Sequence, residues 1–388
     1  NAIVPTGVRF HRDTIVRRGG PGDNWCMTWA GDDTQIVSMD DGLWIPTRRQ
    51  RYHNRLYRLR GGADDFESAD IPAYPGFTMA AGSWFGYGLV SVGGVLYSAV
   101  SKTPAPRWSG PFRGIKLLRS DDGGRSWARV NRSGRARPLA PDDPARYDVS
   151  PREMFFLEES PRPHQQRVAY PFSYFDFVQH GRDNTAAPDA YLYIHGPEGA
   201  RSQELLLARA PADALGRRDA WEYFVGYADG GQPRWSGDLE DRRPVHVFPD
   251  RAADGARFGW YSWLPCVLWN ERLGLYIMVS GGTYAGRGLT DSDADYYCDW
   301  MHTRTGSLGF WWARRPFGPW RRFFYTDAWV ADAPGNRTYQ PKLSPKWIGP
   351  TGREMVLIWS DAMPDAAGRS HTTNYTWNQM RITIRTRP

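Results

Sequence analysis

The chain has 388 residues, 14% of them aromatic (19 Trp, 20 Tyr and 17 Phe), with 41 Gly, 30 Pro and a formal net charge of +7. It contains no run of eighteen apolar residues, which excludes a membrane-spanning helix. Its three cysteines (Cys26, Cys266, Cys298) and eight histidines show no CxxC, HExxH or other zinc spacing. Glycine and proline are spread from end to end, as suits many short strands joined by turns.

In chain order, the first segment is dense in carboxylates. Gly22-Asp23-Asn24-Trp25-Cys26-Met27-Thr28-Trp29 leads to Asp32-Asp33, a strand expected over Thr34–Met39, and then Asp40-Asp41-Gly42. A glycosidase uses such a group: one protonated acid gives a proton to the leaving oxygen, and an ionised carboxylate activates water or attacks the anomeric carbon. Asp-Asp-Thr and Asp-Asp-Gly are also hairpin chemistry, and that reading is preferred for Asp32 and Asp33. Strand alternation points Asp40 and Asp41 to opposite faces, so only one of them is expected to serve a site.

Six arginines follow with no acid among them: Arg48, Arg49, Arg51, Arg55, Arg58 and Arg60. Phosphate contact, with nucleic acid or an anionic envelope polymer, is one reading. A solvated outer strand charged against edge pairing is the preferred one. No nucleic-acid-binding motif accompanies the cluster, so a nucleic-acid partner is not expected.

Strands are expected next at Gly88–Val92, Val95–Val100 and Gly114–Arg119. Ser120–Trp127 (SDDGGRSW) then fits S-x-D-x-G-x-S-W, the Asp-box, a hairpin turn whose acid binds backbone amides over a packed Trp; Asp122 is therefore read as structural. Asp176 lies in the aromatic run Phe172–Phe177, where burial would raise its pKa and suit a proton donor. The alternative is a buried acid paired with an arginine. His180 either bonds a sugar hydroxyl or satisfies the core. Further strands are expected at Tyr191–His195, Glu204–Arg209, Cys266–Trp269, Leu275–Val279, Phe310–Ala313, Met355–Trp359 and Met380–Ile384, with one helical turn over Pro211–Arg218. Trp25, Trp84, Tyr261 and Trp263 are candidates for stacking on sugar rings or for core packing. A Cys266–Cys298 disulfide is open. Asp291, Asp293 and Asp295 lack the downstream spacing of a calcium loop and read as a solvated loop.

The strands group into about five diverged units of roughly 40 to 90 residues, in the range of propeller blades. The expected fold is all-β: a five-bladed β-propeller forming one domain over residues 1–388. Its blades would fall at roughly 20–60, 78–130, 150–225, 257–326 and 337–386, with a two-sheet sandwich as the alternative. Indole faces stack on the C–H faces of sugars, so the Trp surplus points to a carbohydrate cleft.

The opening "GDNWCMTWAGDD…SMDDG" resembles the first segment of a family of five-bladed propellers that includes endo-D-arabinanases, glycoside hydrolases that cut mycobacterial-type arabinan. Further echoes follow in order at Gly114–Trp127, Phe177–Gly196, Leu264–Gly282, Leu308–Thr326 and Tyr339–Asp361, covering most of the chain from Gly22 to Ile384. The resemblance implies that Asp23 and Asp41 are the essential carboxylates. Asn24 and Trp25 would stand beside them, Asp176 is a third candidate, and Gln179-His180-Gly181 would form a pocket wall. It implies a polysaccharide substrate (arabinan), no cofactor, and a secreted, cell-envelope or periplasmic location; the start at Asn1 suggests processing. Cys26 stands where the family often has Pro, and Asp40 where it has Gly before Asp41. Insertions at Arg132–Asp148 and Tyr227–Phe258 bear on the cleft. A non-catalytic carbohydrate-binding propeller is the alternative function, and a sialidase-like glycosidase ranks last because only one Asp-box is present.

Overall fold

The computed structural model describes residues 3–45, 50–79, 82–103, 112–158, 169–199, 201, 203–260, 265–284, 305–333, 335–361 and 374–388. They form a five-bladed β-propeller. The first blade is built from Met27–Trp29, Gln35–Gly42, Tyr52–Arg60 and Glu67–Asp70, from the axis outward. The second runs Trp84–Val92, Val95–Lys102, Gly114–Ser120 and Ala128–Val130, and the third Asp176–Phe177, Tyr191–Pro197, Glu204–Pro211 and Glu222–Tyr227; each adds a fifth outer strand, Ala136–Pro138 and Pro233–Ser236. The fourth comprises Cys266–Asn270, Leu275–Ser280, Leu308–Ala313 and Arg321–Thr326. All eleven strands expected from the sequence overlap observed ones, nine of them in these four blades and two in the fifth.

The fifth blade is assembled from both ends of the chain. Thr338–Ile348, Glu354–Asp361 and Trp377–Arg387 supply three strands, and Val4–Arg18 supplies the outermost. That N-terminal strand pairs antiparallel with the last one, from Val4 opposite Arg387 to Arg18 opposite Trp377. Main-chain hydrogen bonds therefore close the ring and leave no open inner edge.

The core is divided among the five seams between neighbouring blades. Trp25, Trp44 and Trp377 fill the seam of the fifth and first, and Trp84, Phe77 and Trp127 that of the first and second. Phe155, Phe177 and Trp221 pack between the second and third, Phe248 and Trp311 between the third and fourth, and Leu343 and Trp359 between the fourth and fifth. Middle strands are thus covered on both faces. Gln35–Gly42 and Leu275–Ser280 are buried almost throughout, which is why Leu275–Val279 reads as a continuous apolar run without alternation.

Three readings of the sequence are corrected here. The surplus of Trp goes largely into these seams, since Trp25, Trp44, Trp84, Trp221, Trp359 and Trp377 are all fully buried. Pro211–Arg218 forms turns instead of a helical turn, followed by a short 3-10 helix over Arg218–Ala220. The described arginines of the 48–60 cluster are not a solvated outer strand, because Tyr52–Arg60 is the third strand and Glu67–Asp70 lies outside it. Arg55 is buried and grips Asp70 through two hydrogen bonds of 2.7 and 3.0 Å. Arg58 binds Asp32 and the carbonyl of Gly123. Arg48 and Arg49 lie outside the described residues.

The Asp-box joins the third and fourth strands of the second blade. Asp122 Oδ1 accepts from the amides of Arg125 and Ser126 and from the Ser120 hydroxyl, and Oδ2 from the Ser126 hydroxyl, at 2.6–2.9 Å. Burial raises its pKa, and the bonds from Ser126, Ser120 and Arg125 together outweigh it and hold the carboxyl down at about 2. Trp127 packs edge-on to Tyr74 beneath the turn. Asp122→Ala is expected to lower stability by about 1–3 kcal/mol by stranding these donors, with turnover intact; urea unfolding beside an activity assay checks both. No described helix is long and apolar enough to cross a membrane.

Candidate active site

Strand polarity decides where chemistry gathers. The starts of the innermost strands and the ends of the second strands lie at one end of the ring, and the acids of the first segment sit there. Asp23, just before Met27–Trp29, exchanges two backbone hydrogen bonds with Asp40 near the end of Gln35–Gly42, at 2.9 and 2.8 Å. This small ladder brings residues 23, 40 and 41 together although seventeen positions separate the first two in sequence.

Asp23 is buried. The hydroxyl of Tyr339, from the first strand of the fifth blade, donates to its Oδ2 at 2.5 Å. Burial, and then the charge of Asp41, push its carboxyl well above the usual range, against bonds from Tyr339 and Tyr375. Asp41 has its own partners: its Oδ1 meets His53 Nδ1 at 2.6 Å, and its carbonyl accepts from Arg51 and Tyr375.

Asp40 has a different setting. It is fully buried and accepts from Asn24 Nδ2 at 2.7 Å, Asn54 Nδ2 at 2.9 Å and the Gly86 amide at 3.0 and 3.1 Å. Burial, and next the charge of Asp23, raise its pKa well above normal. Only glycine can present that amide, because a Cβ at position 86 would lie 2.0 Å from Asn54 Nδ2. Asp40 therefore anchors the second blade to the first, and Asp40 and Asp41 do have separate surroundings. Asn24 is part of the same scaffold: its amide nitrogen also donates to the Gly86 carbonyl, and its backbone amide to Ser360.

Asp176, at the start of the third blade, reaches the same end of the ring. Its Oδ2 lies 3.7 Å from Lys342 Nζ of the fifth blade, and both are buried. Burial pushes its carboxyl up to about 6, opposed by Lys342 and the Phe177 amide. The pairing partner is thus a lysine and not the arginine considered from the sequence. Cys26 and Cys266 are buried free thiols; Cys298 lies outside the described residues, as do Asp291, Asp293 and Asp295.

The remaining candidates separate. Trp25 and Trp84 are fully buried in the seams described above, so neither ring is open to a sugar. Gln179 is buried and donates across blades to the Leu89 carbonyl at 2.8 Å. His180, a candidate for bonding a sugar hydroxyl, is buried in the core: Nδ1 meets Asn184 and Nε2 the Tyr276 hydroxyl, both at 3.1 Å. Burial drives its pKa down to about 4. The following residues, Arg182–Asn184, reach the Gly31 and Gly94 turns at the far end of the ring. Tyr261 and Trp263 lie outside the described residues.

Reading the sequence missed His53, Lys342, Tyr339 and Tyr375. The signal for two of them was the Tyr-Gln-Pro-Lys run at Tyr339–Lys342, which opens one of the family-like segments. Three residues here hold left-handed backbone, Asn24, Asp41 and Gln340, with φ of 54°, 48° and 51°. Such conformations collect where function requires a fixed geometry. Among the described residues, no three His, Cys, Asp or Glu side chains are grouped to hold a metal.

No protein-family model matches the sequence, and a comparison with curated proteins also gives no match. Among solved structures, a proposed hydrolase from Bacteroides ovatus ATCC 8483 shares the fold: the TM-score is 0.51 at 12% identity, over 95% of this chain and 87% of that one. The catalytic domain of the Coprinopsis cinerea GH62 α-L-arabinofuranosidase aligns with a TM-score of 0.49 at 8% identity, over 98% of each chain. The GH43_1 enzyme from Xanthomonas citri aligns at 0.45 and 11%, over 96% of this chain and 91% of that one. At these identities the likeness to the Bacteroides ovatus structure is one of fold.

Proposed function

We propose that the protein is a glycoside hydrolase that cuts within arabinofuranose polymers, as an endo-D-arabinanase acting on mycobacterial-type arabinan. The observation that carries this reading is the pairing of Asp23 and Asp41 at the axial end of the first blade, in unlike environments. Asp23 is buried, held by two tyrosine hydroxyls and raised in pKa; Asp41 faces a histidine. The resemblance of the opening segment to endo-D-arabinanases supports the substrate.

Asp23, its carboxyl raised by burial and then by Asp41, gives a proton to the leaving glycosidic oxygen as the C–O bond breaks. Asp41 takes a proton from the water whose oxygen bonds to the anomeric carbon. We assign inversion, with Asp41 activating water and no covalent glycosyl intermediate. Asp176, paired with Lys342 at the same end, is assigned to shaping the site's field. No step calls for a cofactor.

Incubating the purified protein with arabinogalactan and lipoarabinomannan tests the proposal. Arabinan should shorten to oligosaccharides of intermediate size, with the first-formed anomer inverted by NMR. Arabinan that is bound but never shortened would leave the carbohydrate-binding reading instead.

A further inference from the structure

One group of arginines lies away from the proposed site, on the fourth blade. The hairpin between Leu308–Ala313 and Arg321–Thr326 of the fourth blade carries Arg314, Arg315, Arg321 and Arg322, with no acid from 314 to 322. As a third-to-fourth strand turn it lies at the end of the ring opposite Asp23. Three of these arginines, with Trp312 and Gln232, line a cavity of about 350 Å³ that reaches the Gly230–Gln232 turn of the third blade. Asp229 begins that turn but does not line the cavity.

All four side chains are exposed, and none forms an ion pair with a described acid. The buried and half-buried arginines Arg55, Arg58, Arg129, Arg209 and Arg242, by contrast, each meet a carboxylate within 3.1 Å. The hairpin arginines are held by neutral groups. The guanidinium carbons of Arg314 and Arg321 stand 5.8 and 5.4 Å from the centre of the Trp312 ring. Arg315 donates to Gln232 Oε1 at 3.5 Å and lies 5.8 Å from the Phe317 ring. Aromatic faces orient a guanidinium without neutralising it, so the charge around the cavity stays uncompensated. An anion entering it would relieve the mutual repulsion.

We infer that this cavity binds a phosphate ester. Guanidinium forks match phosphate oxygens two at a time, three of them surround one space, and the space exceeds a phosphate group enough to take part of an attached sugar or headgroup. The inference is independent of arabinan cleavage, which belongs to the other end of the ring.

The test is calorimetry at low ionic strength with inorganic phosphate, glucose 6-phosphate and glucose. Both phosphates should bind, glucose should not, and affinity should fall as salt rises. The double variant Arg315→Gln/Arg321→Gln should weaken binding at least tenfold while keeping its unfolding midpoint and its rate on arabinan. Arg385→Gln, which removes an exposed arginine from the last strand, should bind as the parent does. Sedimentation with phosphatidylglycerol vesicles separates the sources: co-sedimentation lost in the double variant assigns a lipid headgroup, and phosphate binding without co-sedimentation assigns a soluble ester. No heat with either phosphate, undiminished binding by the double variant, or equal loss in Arg385→Gln would overturn the inference.

Discussion

Asp23→Asn and Asp41→Asn should each fold normally and lose arabinan cleavage by several orders of magnitude. Asparagine keeps the shape of the carboxyl and can still meet Tyr339 or His53, yet it neither ionises nor donates a carboxylic proton. The parent enzyme should also lose kcat/KM on the alkaline side, because Asp23, raised by burial and by Asp41, serves as acid only while protonated. The measurements are initial rates on arabinan across pH and far-UV spectra of each variant. Well-folded variants that cleave at the parent rate would remove both residues from the mechanism, and a cleaving parent would then require another acid pair.

Arg55→Leu is expected to destabilise the fold by about 3–5 kcal/mol, the usual cost of removing one partner from a buried ion pair. Arg55 carries more than its pair with Asp70: its guanidinium also donates to the carbonyls of Tyr74 and Ile71 at 2.8 Å each. It thereby pins the segment leading from the first blade into the second. The approach is tight, since a Cβ at Gly76 would lie 2.9 Å from Arg55 Nη1. Adding Asp70→Asn to the variant should recover part of the loss, because the stranded charge is then gone. Urea unfolding of the parent, the single and the double variant measures both effects; a single-variant loss under about 1 kcal/mol would show that the network is not stabilising.

Much of the architecture can be read from local sequence. Strands such as Val95–Lys102 and Leu275–Ser280 are apolar runs bounded by Gly, Asn or Asp, and a turn such as Ser120–Trp127 specifies its own hydrogen bonds. The clustering of Asp23, Asp40 and Asp41 was visible too, because one hairpin joins them. Those features depend on neighbours within about twenty residues in the chain.

Contacts between distant segments were decided only by the closed ring. The polar-looking Val4–Arg18 becomes a strand because Trp377–Arg387 offers it a ladder. Trp25 and Trp84 become core residues because the adjoining blades cover both of their faces. His180 is carried past the site and bonded to Tyr276, on the neighbouring blade. Lys342 of the fifth blade reaches Asp176 of the third, and Tyr339 reaches Asp23 on the neighbouring first blade, from segments far along the chain. In each case the deciding term is burial or a polar contact with a segment distant in the chain, and no local pattern encodes which residue will stand opposite.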